Sequence, residues 1–446
     1  MGKFYLDNIM RYIVIVGAGI TGLTLGYELA KNGRDVIILE KEKEVGGLAR
    51  SFKYGDFTFD IGPHRFYSPL SHIDKYIKDI IGDEVNIISR YNGVYIFDKY
   101  YTWPLNLSVL FKLPFNLKLK SIVDLFTKRF NTHRHASNLE DYILNRYGPT
   151  LYHVFFSEYT HKFLGISPKD LDPEWAKASI SRAIIDNSIS ANNLLEVLKL
   201  MLMPVEAKLD FLYPKTGINY FPNRLKEKIA QHGAKILTNK VIQAVEYSKN
   251  SINKIHIGGE SFCVDKIIWT APITEACRLL NLPFFTLKYL SLVLYNVTIN
   301  NDIDFDYQWC YFSEKKYIFS RISKFSRFSP LAAPPGKTGL CLEVTSQEDS
   351  ELWNNPESFV PKIKEDLLKT QIVEKNSDIL SVHIEKIPNA YPIYRLNYRD
   401  ELRKTMGHLA AFKNFIPAGR TGLFWYNNMD DCIANGLDVA QIILQK

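Results

Sequence analysis

The sequence predicts an α/β fold, and three neighbouring features near the start of the chain support this prediction. Two short apolar runs, Tyr12–Val16 and Val36–Leu39, have the length and the β-branched content of buried parallel strands. A helical pattern of apolar residues lies between them and ends at Gly33. Strand, helix and strand in this order form a βαβ unit, so the two strands are expected to be parallel.

Three glycines in G-x-G-x-x-G spacing, Gly17, Gly19 and Gly22, join the first strand to the helix. The first permits a tight turn, the second lets the backbone approach a pyrophosphate, and the third lets the helix pack closely on the strand. The helix then begins with free N–H groups and a positive dipole end, which attract phosphate. Glu40 ends the second strand, where a carboxylate can accept hydrogen bonds from ribose hydroxyls. Together these features predict a dinucleotide site, without deciding between FAD and NAD.

Length and composition set the broad class of the protein. With 446 residues the chain is too long for one ordinary domain and suits two interleaved ones. The net charge of +7 comes without a dense Lys/Arg block, so nucleic acid is not an expected partner, whereas an anionic ligand is. The five cysteines lack C-x-x-C spacing, so no metal site or disulfide framework is predicted. No run approaches the ~20 apolar residues of a membrane span, and a cytoplasmic protein is expected.

The nucleotide-binding domain is expected to be discontinuous in sequence. Its three parts are predicted at residues 1–98, 210–285 and 411–446. A helical cap is predicted at 99–209, and a substrate domain with a mixed antiparallel sheet at 286–410. Within the first part, Asn92-Gly93 predicts the turn of a β-hairpin that spans residues 86–97.

Motifs beyond the first βαβ unit resemble one family of flavoproteins. Gly46-Gly47 with Arg50-Ser51, and then Gly62-Pro63-His64, are similar to segments of the superfamily of amine oxidases, protoporphyrinogen oxidases and UDP-galactopyranose mutases. The resemblance implies FAD as the cofactor and a Rossmann-like, GR2-type domain that binds it. The cofactor-binding residues expected from the glycine motif and from this resemblance are Gly17, Gly19, Gly22, Glu40, Gly46, Gly47, Arg50, Gly62, His64, Val241, Gly419, Arg420, Asn428, Met429 and Asp430.

Within this superfamily the chain is most similar to UDP-galactopyranose mutases and their relatives in polysaccharide gene clusters. The segments that carry the similarity are Gly62–His64, Trp103–Asn106, Tyr159–Gly165, Trp309–Ser313, Phe319–Arg321, Phe325–Pro330, Leu342–Val344, Tyr391-Pro392 and Gly419-Arg420. Two positions depart from the pattern. Leu164 stands where bacterial mutases carry Trp, and Pro63 stands where the eukaryotic type carries Gly. Both departures indicate a different nucleotide sugar, or different chemistry on a similar scaffold.

This resemblance implies that N5 of a reduced flavin attacks the anomeric carbon of a UDP sugar while the nucleoside diphosphate leaves. Carried over by position, Arg182 and Arg321 would grip the diphosphate with their planar forks, and His64 would help to order the reduced flavin. These three are the expected catalytic residues. The expected substrate-binding residues are Tyr159, Tyr311, Tyr391 and Tyr426. The expected partners are a nucleotide sugar, with a UDP sugar first, and an external reductant such as NAD(P)H.

The residues alone leave other interpretations open. A histidine after Gly-Pro also serves to stabilise a turn, and Arg182 in a helical context also fits a salt bridge at the surface or between domains. Arg321 lies on an apolar strand, where an isolated guanidinium is costly, and this favours a site residue. Two rival functions remain: an oxidase, dehydrogenase or desaturase that takes hydride from a small cyclic or lipophilic substrate, and a protein that retains FAD only for structure.

Overall fold

The structure is a computed structural model, and it describes residues 10–103, 115–127, 136–176, 210–283 and 286–445. The strands in these ranges, β1 to β18, are Arg11–Val16, Val36–Leu39, Ser51–Tyr54, Phe57–Asp60, Val85–Ser89, Asn92–Ile96, Lys99–Trp103, Asp210–Pro214, Lys235–Leu237, Ala244–Ser248, Ser251–Ile257, Glu260–Trp269, Tyr289–Ile299, Trp309–Phe312, Arg321–Lys324, Thr338–Ser346, Ile379–Pro392 and Phe415–Pro417. The α-helices, α1 to α12, are Ile20–Lys31, Ser71–Ile81, Phe115–Thr127, Leu139–Leu151, Glu158–Leu164, Tyr220–Gln231, Ile273–Leu279, Glu351–Asn354, Val360–Lys369, Tyr398–Leu409, Gly419–Gly422 and Met429–Leu444.

The first sheet has the strand order β10-β11-β12-β1-β2-β9, and β18 pairs with β12. The central pairs β12/β1, β1/β2 and β2/β9 are parallel, as is β12/β18. The strands β10 and β11 are antiparallel to their neighbours. Segments from the beginning, the middle and the end of the chain therefore build one sheet, and the predicted α/β class is confirmed. Helix α1 packs on this sheet between α6 and α12.

The second sheet has the order β17-β13-β16-β15-β14-β6-β7. Its strands pair antiparallel except for β14 and β6, which are parallel. Because β6 starts at Asn92, this sheet begins inside the section 1–98 that the sequence assigns to nucleotide binding. The strand β13 lies between β16 and β17 and is buried along almost its whole length. The sheet forms the floor on which the candidate site is built.

The predicted hairpin turn at Asn92-Gly93 is wrong. Both residues lie inside β6, and the turn to β7 is made by Phe97 and Asp98, whose φ angles of 53° and 54° are those of a mirror-image hairpin turn. Packing explains the difference. Asn92 is only 1% exposed, and a Cβ added to Gly93 would lie 2.9 Å from the ring of Tyr307. Gly93 is therefore a strand position over which an aromatic ring is placed.

The region predicted to form the cap, 99–209, is described in part. Helix α4 begins after Asn138, whose side chain accepts a hydrogen bond from the N–H of Asp141 at 2.8 Å. It kinks at Gly148 before Pro149 and continues through one π-helical segment into α5. Ile143, Tyr152, Phe155 and Phe156 of this segment are buried in the hydrophobic core. No helix in the described ranges is long and apolar enough to cross a membrane.

A buried carboxylate fixes the segment that leads to Gly62-Pro63-His64. Asp60 ends β4 and accepts hydrogen bonds from Ser51 Oγ at 2.6 Å, Tyr213 OH at 2.7 Å and the N–H of Ile218 at 3.2 Å. Burial raises the pKa of the Asp60 carboxyl to about 6, although these hydrogen bonds oppose the shift. The network joins β3 and β4 to β8 and to the loop before α6.

Because the pKa of Asp60 is raised in the folded protein, the free energy of unfolding is expected to decrease as the pH rises. Between about pH 4 and pH 6 the unfolded chain releases the Asp60 proton first, so the free energy of unfolding decreases by up to about 3 kcal/mol. Asp60→Asn is expected to remove this decrease, because the amide is neutral at every pH. Its oxygen can still accept from Ser51 and Ile218, whereas its NH2 group must donate to the hydroxyl of Tyr213. Urea unfolding at several pH values tests this, with Asp56→Asn in the exposed turn before β4 as the control. An unchanged pH slope in Asp60→Asn would contradict the assignment.

Candidate active site

The turn between β1 and α1 has the shape of a phosphate-binding loop. Gly17 has φ +104°, in a region that favours glycine, and a Cβ added to Gly22 would lie 2.0 Å from the carbonyl oxygen of Gly17. A Cβ added to Gly19 would meet no heavy atom within 4 Å. The first and third glycines thus serve the fold, whereas the second borders space that a ligand can enter.

Glu40 is anchored at this turn. It is 7% exposed, and its carboxylate accepts hydrogen bonds from the N–H groups of Ala18 at 2.8 Å and Glu42 at 3.0 Å. The N–H of Lys240 donates to the carbonyl oxygen of Glu40 at 2.9 Å, so the next residue, Val241, lies beside the acid. Val241 is 57% exposed and precedes β10. An exposed apolar side chain next to a fixed carboxylate suits the base and ribose of a nucleotide.

The second glycine pair lies against the first motif. The N–H of Gly46 donates to the carbonyl oxygen of Ala18 at 2.8 Å, and a Cβ added to Gly47 would lie 3.2 Å from Gly19 Cα. Arg50 Nε donates to the carbonyl oxygen of Gly47 at 2.8 Å. The segment predicted to bind the cofactor through Gly46, Gly47 and Arg50 is therefore held beside the open space at Gly19.

The first turn of α12 meets the first turn of α1. Thr21 Oγ1 donates to the carbonyl oxygen of Cys432 at 3.0 Å, and Gly419 packs on Thr21. Asn428 caps α12 in a reciprocal capping box with Asp431, and Met429 and Asp430 form the first helical positions after it. Two helix N-termini, each with a positive dipole end, are thus adjacent.

His64 lies in a strongly cationic environment. Burial, together with the guanidinium groups of Arg420, Arg321 and Arg65, lowers the pKa of His64 to about 3. Its ring is therefore neutral at physiological pH and has one donor and one acceptor nitrogen. The Nδ1 atom is buried and has no hydrogen-bond partner among the described residues. A buried ring nitrogen without a partner is costly, which indicates that a bound group completes this site.

Arg321 lies in the site, but its guanidinium group already forms an ion pair with a carboxylate. Nε and Nη2 each lie 2.5 Å from a carboxylate oxygen of Glu343, directly across the β15/β16 pair. Glu343 is 1% exposed. A Cβ added to Gly62 would lie 3.0 Å from Glu343 Oε1 and 3.1 Å from Arg321 Nη2, so the pair supports the loop before His64. No role was predicted for Glu343, because its partner can be found only from the strand register.

The four predicted tyrosines form the aromatic wall of the site. Tyr159 and Tyr311 meet edge to face at 6.0 Å between ring centroids, as do Tyr391 and Tyr426 at 5.3 Å. Phe163 links the two pairs, at 5.7 Å from Tyr159 and 5.3 Å from Tyr391. Burial raises the pKa of Tyr159 and of Tyr391, so both are neutral phenols.

Arg420 lies across one end of this wall. Its guanidinium carbon is 5.1 Å from the ring centroid of Tyr391 and 4.6 Å from that of Tyr426. Nη2 donates to the carbonyl oxygen of Ala390 at 2.9 Å. The structure thus brings together the predicted residues of the second sheet, the cap and the C-terminal segment. Arg182 lies outside the described residues, and its role stays a prediction.

The family model for flavin containing amine oxidoreductase matches residues 20–444, which is most of the chain. The chain belongs to this family. The resemblance noted from the motifs is thereby confirmed, and FAD is the cofactor. The open space at Gly19, the two helix N-termini, the anchored Glu40 and the unpartnered Nδ1 of His64 all fit a bound dinucleotide that ends in a flavin.

Solved structures similar to this family member share its whole fold. A reduced UDP-galactopyranose mutase superposes with a TM-score of 0.84 at 20% identity, over 98% of this chain and 94% of the mutase. A protein from Exiguobacterium sp. 255-15 described as a protoporphyrinogen oxidase gives a TM-score of 0.77 at 17% identity, over 98% of this chain and 100% of the Exiguobacterium protein. Among curated relatives, a 4,4'-diapophytoene desaturase (4,4'-diaponeurosporene-forming) of Staphylococcus haemolyticus is 51% identical over 51 residues, which are 11% of this chain and 10% of the desaturase.

One further cation, the partly buried Lys162, connects the predicted cap region of this amine oxidoreductase to the second sheet. Its Nζ donates to the carbonyl oxygens of Phe312 at 2.8 Å, Glu314 at 3.1 Å and Phe319 at 2.6 Å. Burial lowers the pKa of Lys162 to about 7, although Asp366, Glu314 and Glu158 oppose the shift. Because α5 carries Tyr159 and Phe163, these three hydrogen bonds hold the aromatic wall on the sheet.

Lys162→Met is expected to lower the free energy of unfolding by about 2–4 kcal/mol, because three carbonyl oxygens lose their donor. It should also remove a pH dependence. Between about pH 7 and pH 10.5 the unfolded wild type binds more protons at this lysine, so wild-type stability rises with pH. Denaturant unfolding at pH 7 and pH 10 measures both effects. Lys316→Met, at a half-exposed lysine paired with Asp98, is the control and should change stability by less than about 1 kcal/mol. A pH-dependent rise that persists in Lys162→Met would contradict the assignment.

Proposed function

We propose that this flavoenzyme acts through N5 of reduced FAD on a nucleotide-activated sugar, in the manner of a UDP-galactopyranose mutase, during polysaccharide synthesis. The observation that supports this most directly is the excess of positive charge around His64. Arg65, Arg321 and Arg420 all lower the pKa of that histidine. Glu343 pairs with Arg321, whereas Arg65 and Arg420 form no ion pair with a carboxylate of the described residues. Such a pocket attracts a diphosphate and repels a protonated amine.

The residues of the chain have distinct tasks in this reaction. Bound FAD supplies, when reduced, a nucleophilic nitrogen. The cationic groups stabilise the negative charge that develops on a departing nucleoside diphosphate. The neutral phenols of Tyr159 and Tyr391 can donate hydrogen bonds to phosphate oxygens, and the aromatic wall excludes water. Neutral His64 can exchange a hydrogen bond with the cofactor through Nδ1 without adding charge to the site.

A second candidate is an oxidase, dehydrogenase or desaturase, and a specific observation favours it. The rings of Trp175, Tyr426, Tyr391, Phe163 and Tyr159 follow one another at centroid distances of 5.2 Å, 5.3 Å, 5.3 Å and 5.7 Å. A continuous aromatic wall suits a lipophilic substrate that gives up hydride. It does not account for the guanidinium groups of Arg65 and Arg420, which form no ion pair within the described part of the chain, so the nucleotide-sugar function is preferred.

The flavin spectrum distinguishes the two candidates. We would record it under air and after dithionite or NAD(P)H reduction, while UDP and UDP sugars are added to the purified protein. The proposal expects UDP to perturb the spectrum, and the reduced enzyme alone to convert a UDP sugar without net oxidation. If UDP has no effect and the reduced flavin reoxidises rapidly to form peroxide, the oxidase function replaces it. A protein that cannot be reconstituted with FAD would contradict both candidate functions.

A further inference from the structure

Arg65 follows His64 in the loop between β4 and α2, and no role was predicted for it from the sequence. Its guanidinium carbon lies 4.5 Å from the ring centroid of Phe211 and 4.5 Å from that of Trp309, so the group is held between two aromatic rings. Nη1 donates to the carbonyl oxygen of Pro63 at 3.1 Å. Nε is buried and has no hydrogen-bond partner in the described part of the chain.

The charge around Arg65 is unbalanced. No carboxylate in the described ranges forms an ion pair with it, and its charged neighbours include Arg90 and Arg321. Asp430 and Tyr311 also face it electrostatically. Arg65 is partly buried. Taking even part of a guanidinium out of water without a paired anion is costly, and aromatic contacts offset only part of that cost. The arrangement is stable at lower cost when an anion binds beside Arg65.

The position of Arg65 relates this anion to the candidate pocket. Trp309, which covers the guanidinium, lies two residues before Tyr311 on β14, and alternate residues of a strand share a face. Tyr311 contacts Tyr159 at 6.0 Å and lies 5.8 Å from the guanidinium carbon of Arg321. Arg65 therefore lies beside the aromatic wall, on the side of the second sheet. By contrast, two nitrogens of the Arg321 guanidinium already donate hydrogen bonds to Glu343.

We propose that Arg65 binds phosphate oxygens of the substrate, in the role that the sequence assigned to Arg321. This inference rests on the proposed function and identifies the substrate class of the same pocket as phosphorylated. The Arg321–Glu343 pair then shapes the pocket, and Arg65 supplies the guanidinium that meets the anion.

The test uses the FAD-loaded protein and three probes: UDP, inorganic pyrophosphate and uridine. Dissociation constants are measured by calorimetry for wild type, Arg65→Met, Arg65→Lys and the control Arg327→Met, which removes an exposed arginine paired with Asp306. Arg65→Met should weaken UDP and pyrophosphate roughly 10- to 100-fold and leave uridine unchanged. Arg65→Lys should recover part of the loss, because it keeps the charge without the planar fork. The control should bind like wild type.

Equal affinity of wild type, Arg65→Met and Arg65→Lys for UDP and pyrophosphate overturns the proposal. A shifted flavin reduction potential with unchanged UDP affinity also overturns it, because Arg65 would then serve the cofactor. If Arg65→Met fails to fold, Arg65→Lys decides: wild-type affinity for pyrophosphate counts against the proposal. If wild type binds both phosphates through Arg65 but converts no UDP sugar, the proposed function fails while this inference stands. If wild type binds neither phosphate, both fail.

Discussion

Gly22→Ala is expected to yield a protein that retains no FAD and unfolds more easily. The added methyl group would lie 2.0 Å from the carbonyl oxygen of Gly17, which is backbone and cannot move aside without opening the turn between β1 and α1. Overpacking of this kind costs about 1–3 kcal/mol, and the displaced turn loses its phosphate-binding geometry. Gly19→Ala is expected to behave differently, because its methyl group meets no heavy atom within 4 Å. The apoprotein should keep wild-type stability, while FAD affinity falls roughly 10- to 100-fold.

The two variants separate the fold from the ligand. Denaturant unfolding of the apoproteins and titration with FAD should show that Gly22→Ala loses both properties and Gly19→Ala loses only affinity. Gly407→Ala is the control, since this glycine lies inside α10 with no heavy atom within 4 Å of an added Cβ. It should bind FAD like wild type and gain about 0.5–1 kcal/mol, because alanine favours the helix. Wild-type FAD affinity in Gly19→Ala would place the diphosphate elsewhere.

Local patterns were sufficient for the parts of the fold that local physics decides. The glycine turn at Gly17, the strand Val36–Leu39 and the helix that ends before Gly33 follow from spacing and β-branched content, and the structure has them where they were predicted. The turn at Asn92-Gly93 failed because burial against Tyr307 outweighed its local turn preference. Tertiary packing decides such a position, and the sequence does not display it.

The residues of the candidate site also fall into those that local motifs predict and those that depend on tertiary structure. Motif resemblance found His64, Arg321 and the tyrosines, because these residues stand at fixed offsets within recognisable segments. It did not find Glu343 as a partner, since the pairing depends on the register between β15 and β16. It also passed over Arg65, because an arginine in a turn is usually exposed and only the packing of Phe211 and Trp309 shows that this one is partly buried.

Arg321→Met is expected to cost about 3–5 kcal/mol of the free energy of unfolding, since it leaves the carboxylate of Glu343 buried without a partner. Glu343→Gln should cost less, about 1–3 kcal/mol, because the Arg321 side chain keeps 18% of its surface in contact with solvent. The double variant Arg321→Met/Glu343→Gln should be more stable than Arg321→Met alone, because neither partner then carries an uncompensated charge.

A double-mutant cycle by denaturant unfolding measures this coupling. For Arg321 and Glu343 we expect more than about 2 kcal/mol, in the range of a buried and doubly hydrogen-bonded pair. The exposed pair Arg224–Glu227 on α6 provides the matched cycle, where the coupling should stay below about 1 kcal/mol. Equal coupling in the two cycles would mean that Arg321 is not committed to Glu343. The Arg321 guanidinium would then be available to bind a substrate phosphate, which is the role proposed for Arg65.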